Sequence, residues 1–89
     1  MAALEGIRIV LVAPRYGGNV GSVCRAMKNM GCSDLAIAGA CPDLDTAEAR
    51  KMALHAQDLL QSAARYDTLR AAVADCAVVA GTSARYGLY

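Results

Sequence analysis

Ile7-Arg8-Ile9-Val10-Leu11-Val12-Ala13 is the stretch that most narrows what this chain can fold into. It is rich in β-branched residues, apolar at nearly every position after Arg8 and stopped by Pro14, which is how a strand covered on both faces reads. Two further short runs share that character, Leu35 to Gly39 and Cys76 to Gly81. Segments of helical period separate them. Asn19 stands where an N-cap belongs, ahead of Val20, Val23, Cys24, Met27 and Met30 on one helical face, and Gly31 supplies the stop. Asp45 and Glu48 have the spacing of a capping box before a second helix, whose stripe runs through Ala49, Met52, Ala53, Ala56, Leu60 and Ala63 and leaves His55 and Gln57 toward solvent. Asp67 is placed to cap a shorter helix to about Ala74. Strand, helix, strand, helix, helix, strand predicts βαβ units and hence a parallel sheet of the α/β class.

The 89 residues suffice for one small domain with a thin core, because 19 of them are alanine, which buries little area, and none is Phe or Trp. Three parallel strands leave two open edges, which proteins usually cover, extend or pair. Residues 1–89 are therefore expected to be a portion of a single larger domain. A net charge of +1 supplies no whole-chain attraction for nucleic acid, so any grip on it must come from a local patch. Cys24, Cys32, Cys41 and Cys76 form no C-x-x-C pair and follow no signal peptide, so reduced core cysteines are expected rather than a disulfide framework or a metal site. No apolar run approaches the roughly 20 residues that cross a bilayer, and a cytoplasmic protein with no membrane partner is expected.

In open α/β sheets ligands bind beyond the carboxyl ends of the strands, which points to the segments after Ala13, Gly39 and Ala80. The first is the richest. Gly17-Gly18-Asn19-Val20-Gly21 fits neither the P-loop nor the full dinucleotide fingerprint, and no lysine follows where a phosphate grip needs one. Arg25 says more: at 100° per residue it projects almost opposite the apolar stripe. Spacing alone leaves two explanations, a solvated helix face shared with Ser22 and Asn29, or a functional arginine.

The segments Ile7 to Val12, Gly18-Asn19-Val20-Gly21-Ser22-Val23-Cys24-Arg25-Ala26-Met27-Lys28-Asn29-Met30-Gly31 and Gly81-Thr82-Ser83-Ala84-Arg85 resemble the opening half of SpoU/TrmH-type SPOUT methyltransferases, with the TrmJ branch of tRNA enzymes the nearest in character. The resemblance implies an S-adenosylmethionine-dependent RNA ribose 2′-O-methyltransferase, with tRNA and its anticodon loop as substrate and a homodimer as the working form. It makes Arg25 the catalytic arginine of the first family motif and Asn19 the residue that arranges the site around it. Arg15, Lys28 and Arg85 are the candidate RNA contacts. The later family elements, which tie the knot and hold S-adenosylmethionine, have no counterpart up to Tyr89. The cofactor site is thus expected beyond it, and this chain is expected to be inactive alone.

Methylating a ribose hydroxyl requires removing a proton from a poor acid. Neutralising an arginine at pH 7 costs on the order of 8 kcal/mol, because guanidinium is a very weak acid, so a clamp on a phosphate and on the developing 2′-oxyanion suits Arg25 better than the part of a base. Two other readings compete: a non-catalytic α/β module that binds RNA or protein, and a nucleotide-binding domain built on the Gly17 to Gly21 loop.

Overall fold

A computed structural model of the protein describes residues 6–40 and 47–81. Strand β1 (Arg8–Val12) leads into helix α1 (Gly17–Met30), and β2 (Asp34–Ala38) follows. Next come α2 (Ala47–Ala53), a 3-10 turn over Leu54–Ala56 and α3 (Gln57–Ser62), then β3 (Ala64–Tyr66) and α4 (Leu69–Val73). The strands are parallel in the order β1-β2-β3. Arg8 pairs with Asp34 and Val12 with Ala38, while Ala36 pairs with Ala64 and Ala38 with Tyr66. The α/β class and the parallel sheet stand as the sequence predicts.

Alternation along the strands sends residues to two faces. Ile9, Leu11, Leu35 and Ile37 meet Val20, Cys24 and Met27 of α1, Ala49 and Ala53 of α2, and Leu59 and Leu60 of α3. Ile37, Val20 and Cys24 are the largest side chains wholly shut off from solvent. Burying Ile37 contributes roughly 1.5–3 kcal/mol. The opposite face is thinner: Ala36 and Ala38 lie fully buried there, as does Ala72 of α4.

Several expectations are corrected. The third strand is Ala64–Tyr66, on the free side of β2, whereas 76–81 joins no ladder among the described residues and leaves Val78 and Val79 exposed beside β1. Helix α1 begins at Gly17, so Asn19 is inside it and is not the N-cap; Tyr16 occupies that place without a side-chain bond, its carbonyl accepting from the Asn19 N–H (3.1 Å) and the Val20 N–H (3.4 Å). Low glycine propensity argues for a loop at Gly17-Gly18, and burial of Gly18 and Gly21 against neighbouring elements overrides it. The cap of α4 is Thr68, whose hydroxyl accepts from the Ala71 N–H at 3.1 Å, not Asp67.

The Gly31 stop is as expected, left-handed at φ 78°, with Cys32 N–H donating to the Met27 carbonyl at 2.8 Å. Met52 of the second helix's stripe is exposed rather than packed. His55 and Gln57 face solvent, and Cys24 and Cys32 are buried and joined in no disulfide, with Cys76 half-buried. Asp45, the cap half of the capping box, and Cys41 lie outside the described residues.

Arg8 and its register partner Asp34 carry charge on the thin face, and four of the five donors of the Arg8 guanidinium are engaged. Its Nε donates to Asp34 at 3.0 Å, its Nη1 to Asp75 at 2.7 Å and to the Ala72 carbonyl at 2.9 Å, and its Nη2 to Asp75 at 3.3 Å. This joins β1, β2 and the end of α4. The hydrogen bond from Arg8 holds the Asp75 carboxyl below the usual carboxylate range. A carboxyl lowered on folding stabilises the fold above its unfolded value of about 3.9 and loses that contribution as pH falls through the folded value. Urea midpoints of the wild type should therefore drop below about pH 4, and Asp75→Asn should drop less over the same interval. A variant that falls as steeply as wild type would remove Asp75 from the acid response.

Candidate functional site

Helix α1 leaves the carboxyl end of β1, and its outer face presents Asn19, Ser22, Arg25 and Asn29. Asn19 and Arg25 are exposed, while Ser22 is half-buried and donates its Oγ–H to the Gly18 carbonyl at 3.0 Å. Asn19, Ser22 and Arg25 are three residues apart in turn, so each neighbours the next along one row. Arg25 lies about 12 Å along the axis from the start of α1 at 1.5 Å per residue. No carboxylate or other acceptor among the described residues engages its guanidinium, which carries five donors.

The other candidate contacts divide. Arg15 is exposed, just before α1, and has no partner among the described residues. Lys28, the next residue along the row of Asn19, Ser22 and Arg25, is engaged within the chain, its Nζ donating to Asp58 of α3 at 2.9 Å, which holds the Asp58 carboxyl below its ordinary range. Arg85 lies outside the described residues. The structure thus leaves Asn19 and Arg25 exposed on α1, about 120° apart around the helix, with Arg15 just before its start, and ties Lys28 to α3. Cys24, on the inner face, is no nucleophile: burial pushes its thiol up, and the Asp58 charge adds to the effect.

The glycines serve packing. A Cβ on Gly21 would run into the Ala49 carbonyl oxygen and approach Ala53 N and Met52 Cβ at 3.0 Å, so α1 and α2 touch here backbone to backbone. A Cβ on Gly18 would lie 2.7 Å from Glu48 Oε1. The Glu48 carboxylate therefore already faces the first turn of α1, where it complements the helix dipole and would repel an incoming phosphate. That counts against the nucleotide-cradle reading. Neither contact has a signal in the sequence, since both depend on how α2 docks.

A cleft of about 420 Å³ lies between β1 and 76–81, lined by Arg8, Ile9, Val10, Leu69, Val73 and Val79 among others. S-adenosylmethionine needs polar partners for its adenine edge, ribose hydroxyls and charged amino-acid end. The side chains on these walls are apolar apart from Arg8, whose donors are taken by Asp34, Asp75 and the Ala72 carbonyl, and the remaining polar lining is backbone. No side chain here is placed to hold the charged amino-acid end of the methyl donor. No group of three or more His, Cys, Asp or Glu side chains suited to a metal ion occurs among the described residues, and no helix among them is long and apolar enough to cross a membrane.

The geometry gives a parallel α/β sheet with an outward arginine on its first helix, and comparison with known proteins makes the class specific. Residues 6–86 match the SpoU rRNA Methylase family, and the chain belongs to that family. It is 45% identical over 82 residues to the tRNA (cytidine/uridine-2′-O-)-methyltransferase TrmJ of Cronobacter sakazakii, covering 92% of this chain and 33% of that protein. The TrmJ of Salmonella typhimurium gives the same identity and coverage. Among solved structures, a probable methylase family protein from Haemophilus influenzae superposes with a TM-score of 0.83 at 39% identity over 96% of this chain and 35% of that one. TrmJ from Z. mobilis gives 0.72 at 34% identity over 88% and 37%. The chain spans about a third of the length of the curated relatives it matches.

Proposed function

We propose that this chain supplies the RNA-facing half of a ribose 2′-O-methyltransferase active site that uses S-adenosylmethionine and acts on tRNA, with the anticodon loop as target. The observation that carries this reading is the exposed Arg25, without a partner among the described residues, on the same helix as the exposed Asn19, in a chain of the SpoU family whose kin in sequence include tRNA 2′-O-methyltransferases. Arg25 clamps a phosphate and the developing 2′-oxyanion with its planar fork, while Asn19, one row away through Ser22, orients the same nucleotide. In this reading the donor site falls to residues other than the described ones, and the methyl group is delivered from there. An arginine that faces away from its own core is suited to a site shared between two protomers, and a homodimer is part of the proposal.

The test is methyl transfer. The full-length protein, incubated with bulk tRNA and labelled S-adenosylmethionine, should place label on ribose, found as 2′-O-methylnucleosides after nuclease digestion, while residues 1–89 alone should not. Label on base instead of ribose, or none with the full-length protein, would overturn the assignment.

A further inference from the structure

Tyr16 has no part in the fold that its size would suggest. It is 65% exposed, and no described residue hydrogen-bonds its phenol or stacks on its ring. What it contributes to α1 is its backbone carbonyl, which any residue could supply. Gly17 and Gly18 follow it and carry no side chain to cover the ring, and Arg15 precedes it, exposed and without a partner among the described residues. The pair stands directly after β1, at the carboxyl end of the parallel sheet, on the side where the helix bearing Asn19 and Arg25 begins.

An exposed aromatic beside a free cation is the combination that holds single-stranded nucleic acid: the ring stacks on a base and the cation meets a phosphate. We infer that Tyr16 stacks an unpaired nucleobase of the RNA substrate and that Arg15 takes the adjoining phosphate. This rests on the RNA-methyltransferase reading and deepens it. Arg25 lies nine residues on, about 13 Å along the helix direction, so the stacked base belongs to a nucleotide flanking the target rather than to the target itself. Tyr16 is thus a positioning residue, and a loop with splayed bases is bound in preference to a duplex, whose stacked bases offer no free face.

Filter binding of the full-length protein to bulk tRNA over a range of salt, with methyl transfer followed in parallel, separates the contributions. Tyr16→Ala should weaken binding about tenfold, with Tyr16→Phe and Tyr16→Trp near wild type, because the ring and not the hydroxyl is needed. The slope of log affinity against log salt should be unchanged in Tyr16→Ala but shallower by about 0.7 in Arg15→Gln, since only the arginine releases counterions. Thermal midpoints of all four variants should match wild type. Wild-type affinity in Tyr16→Ala, or a loss that Tyr16→Phe shares, would overturn the stacking role while leaving the enzyme reading intact. So would unchanged RNA affinity together with a weakened dimer, which would make Tyr16 a protein contact. A wild-type protein that neither retains nor methylates tRNA would remove both proposals.

Discussion

Gly21→Ala is expected to lower the stability of this protein by about 3 kcal/mol, at the upper end of what overpacking costs. On a solvent-facing helix the same change would add about 1 kcal/mol, because alanine is the better helix former. Here the sign reverses. The new methyl would collide with the Ala49 carbonyl oxygen and press on Ala53 N and Met52 Cβ, each at 3.0 Å, and the first two are backbone that cannot swing aside. Relief requires moving α2 off α1, which opens the part of the core where Val20 and Cys24 meet Ala49 and Ala53. A domain of this size loses about 4–8 °C in its midpoint per kcal/mol, so a fall of more than about 10 °C should appear in thermal unfolding followed by far-ultraviolet circular dichroism. A midpoint equal to or above wild type would show that the helices are not packed through Gly21.

The same contact shows where sequence reading reaches its limit. Strands β1 and β2, the apolar stripe of α1 and its Gly31 stop are legible because each is written in a local pattern: β-branched runs, a 3.6-residue period, a left-handed glycine. Strand β3 is not. Ala64-Arg65-Tyr66 is three residues long and only partly apolar, and what makes it a strand is the free edge of β2 beside it. Cys76 to Gly81 has the better local pattern and forms no ladder, because a run of β-formers does not say which edge it will find. The start of α1 fails for a related reason. Local propensity places Gly17 and Gly18 in a loop, and the Glu48 side chain and the backbone of α2 close over the glycines and keep them helical.

The site divides along the same line. That Arg25 faces away from the core follows from 100° per residue, and so does the polar row it shares with Asn19 and Ser22. That Lys28 is held by Asp58, 30 residues away, follows from nothing local. Nor does the carboxylate of Glu48 beside the first turn of α1, which removes the glycine-rich segment from contention as a phosphate cradle. Arg8 reads as an interruption in an apolar strand, and its reason emerges only when Asp34 and Asp75 are brought to it from two other elements.

Arg25→Lys in the full-length enzyme is the substitution expected to cost the most activity, at least about 100-fold in kcat/KM for methyl transfer, the loss typical of removing a donor to a developing oxyanion. Lysine keeps the charge and much of the reach, but it replaces a planar fork of five donors by a single ammonium, so a bidentate grip on phosphate and oxygen cannot be reproduced. Binding of tRNA should fall much less than turnover, because the charge survives and the interaction lost is strongest at the transition state. A base predicts otherwise. Lysine gives up its proton more readily than arginine, so if the side chain at this position abstracts the hydroxyl proton, the variant should retain activity and gain rate about tenfold per pH unit below the lysine pKa. The exposed position of Arg25 on α1, with no cation or apolar wall closing over it among the described residues, favours the clamp. An Arg25→Lys enzyme that works within about tenfold of wild type and climbs with pH would establish the base instead; a crippled enzyme with the wild-type pH profile would establish the clamp.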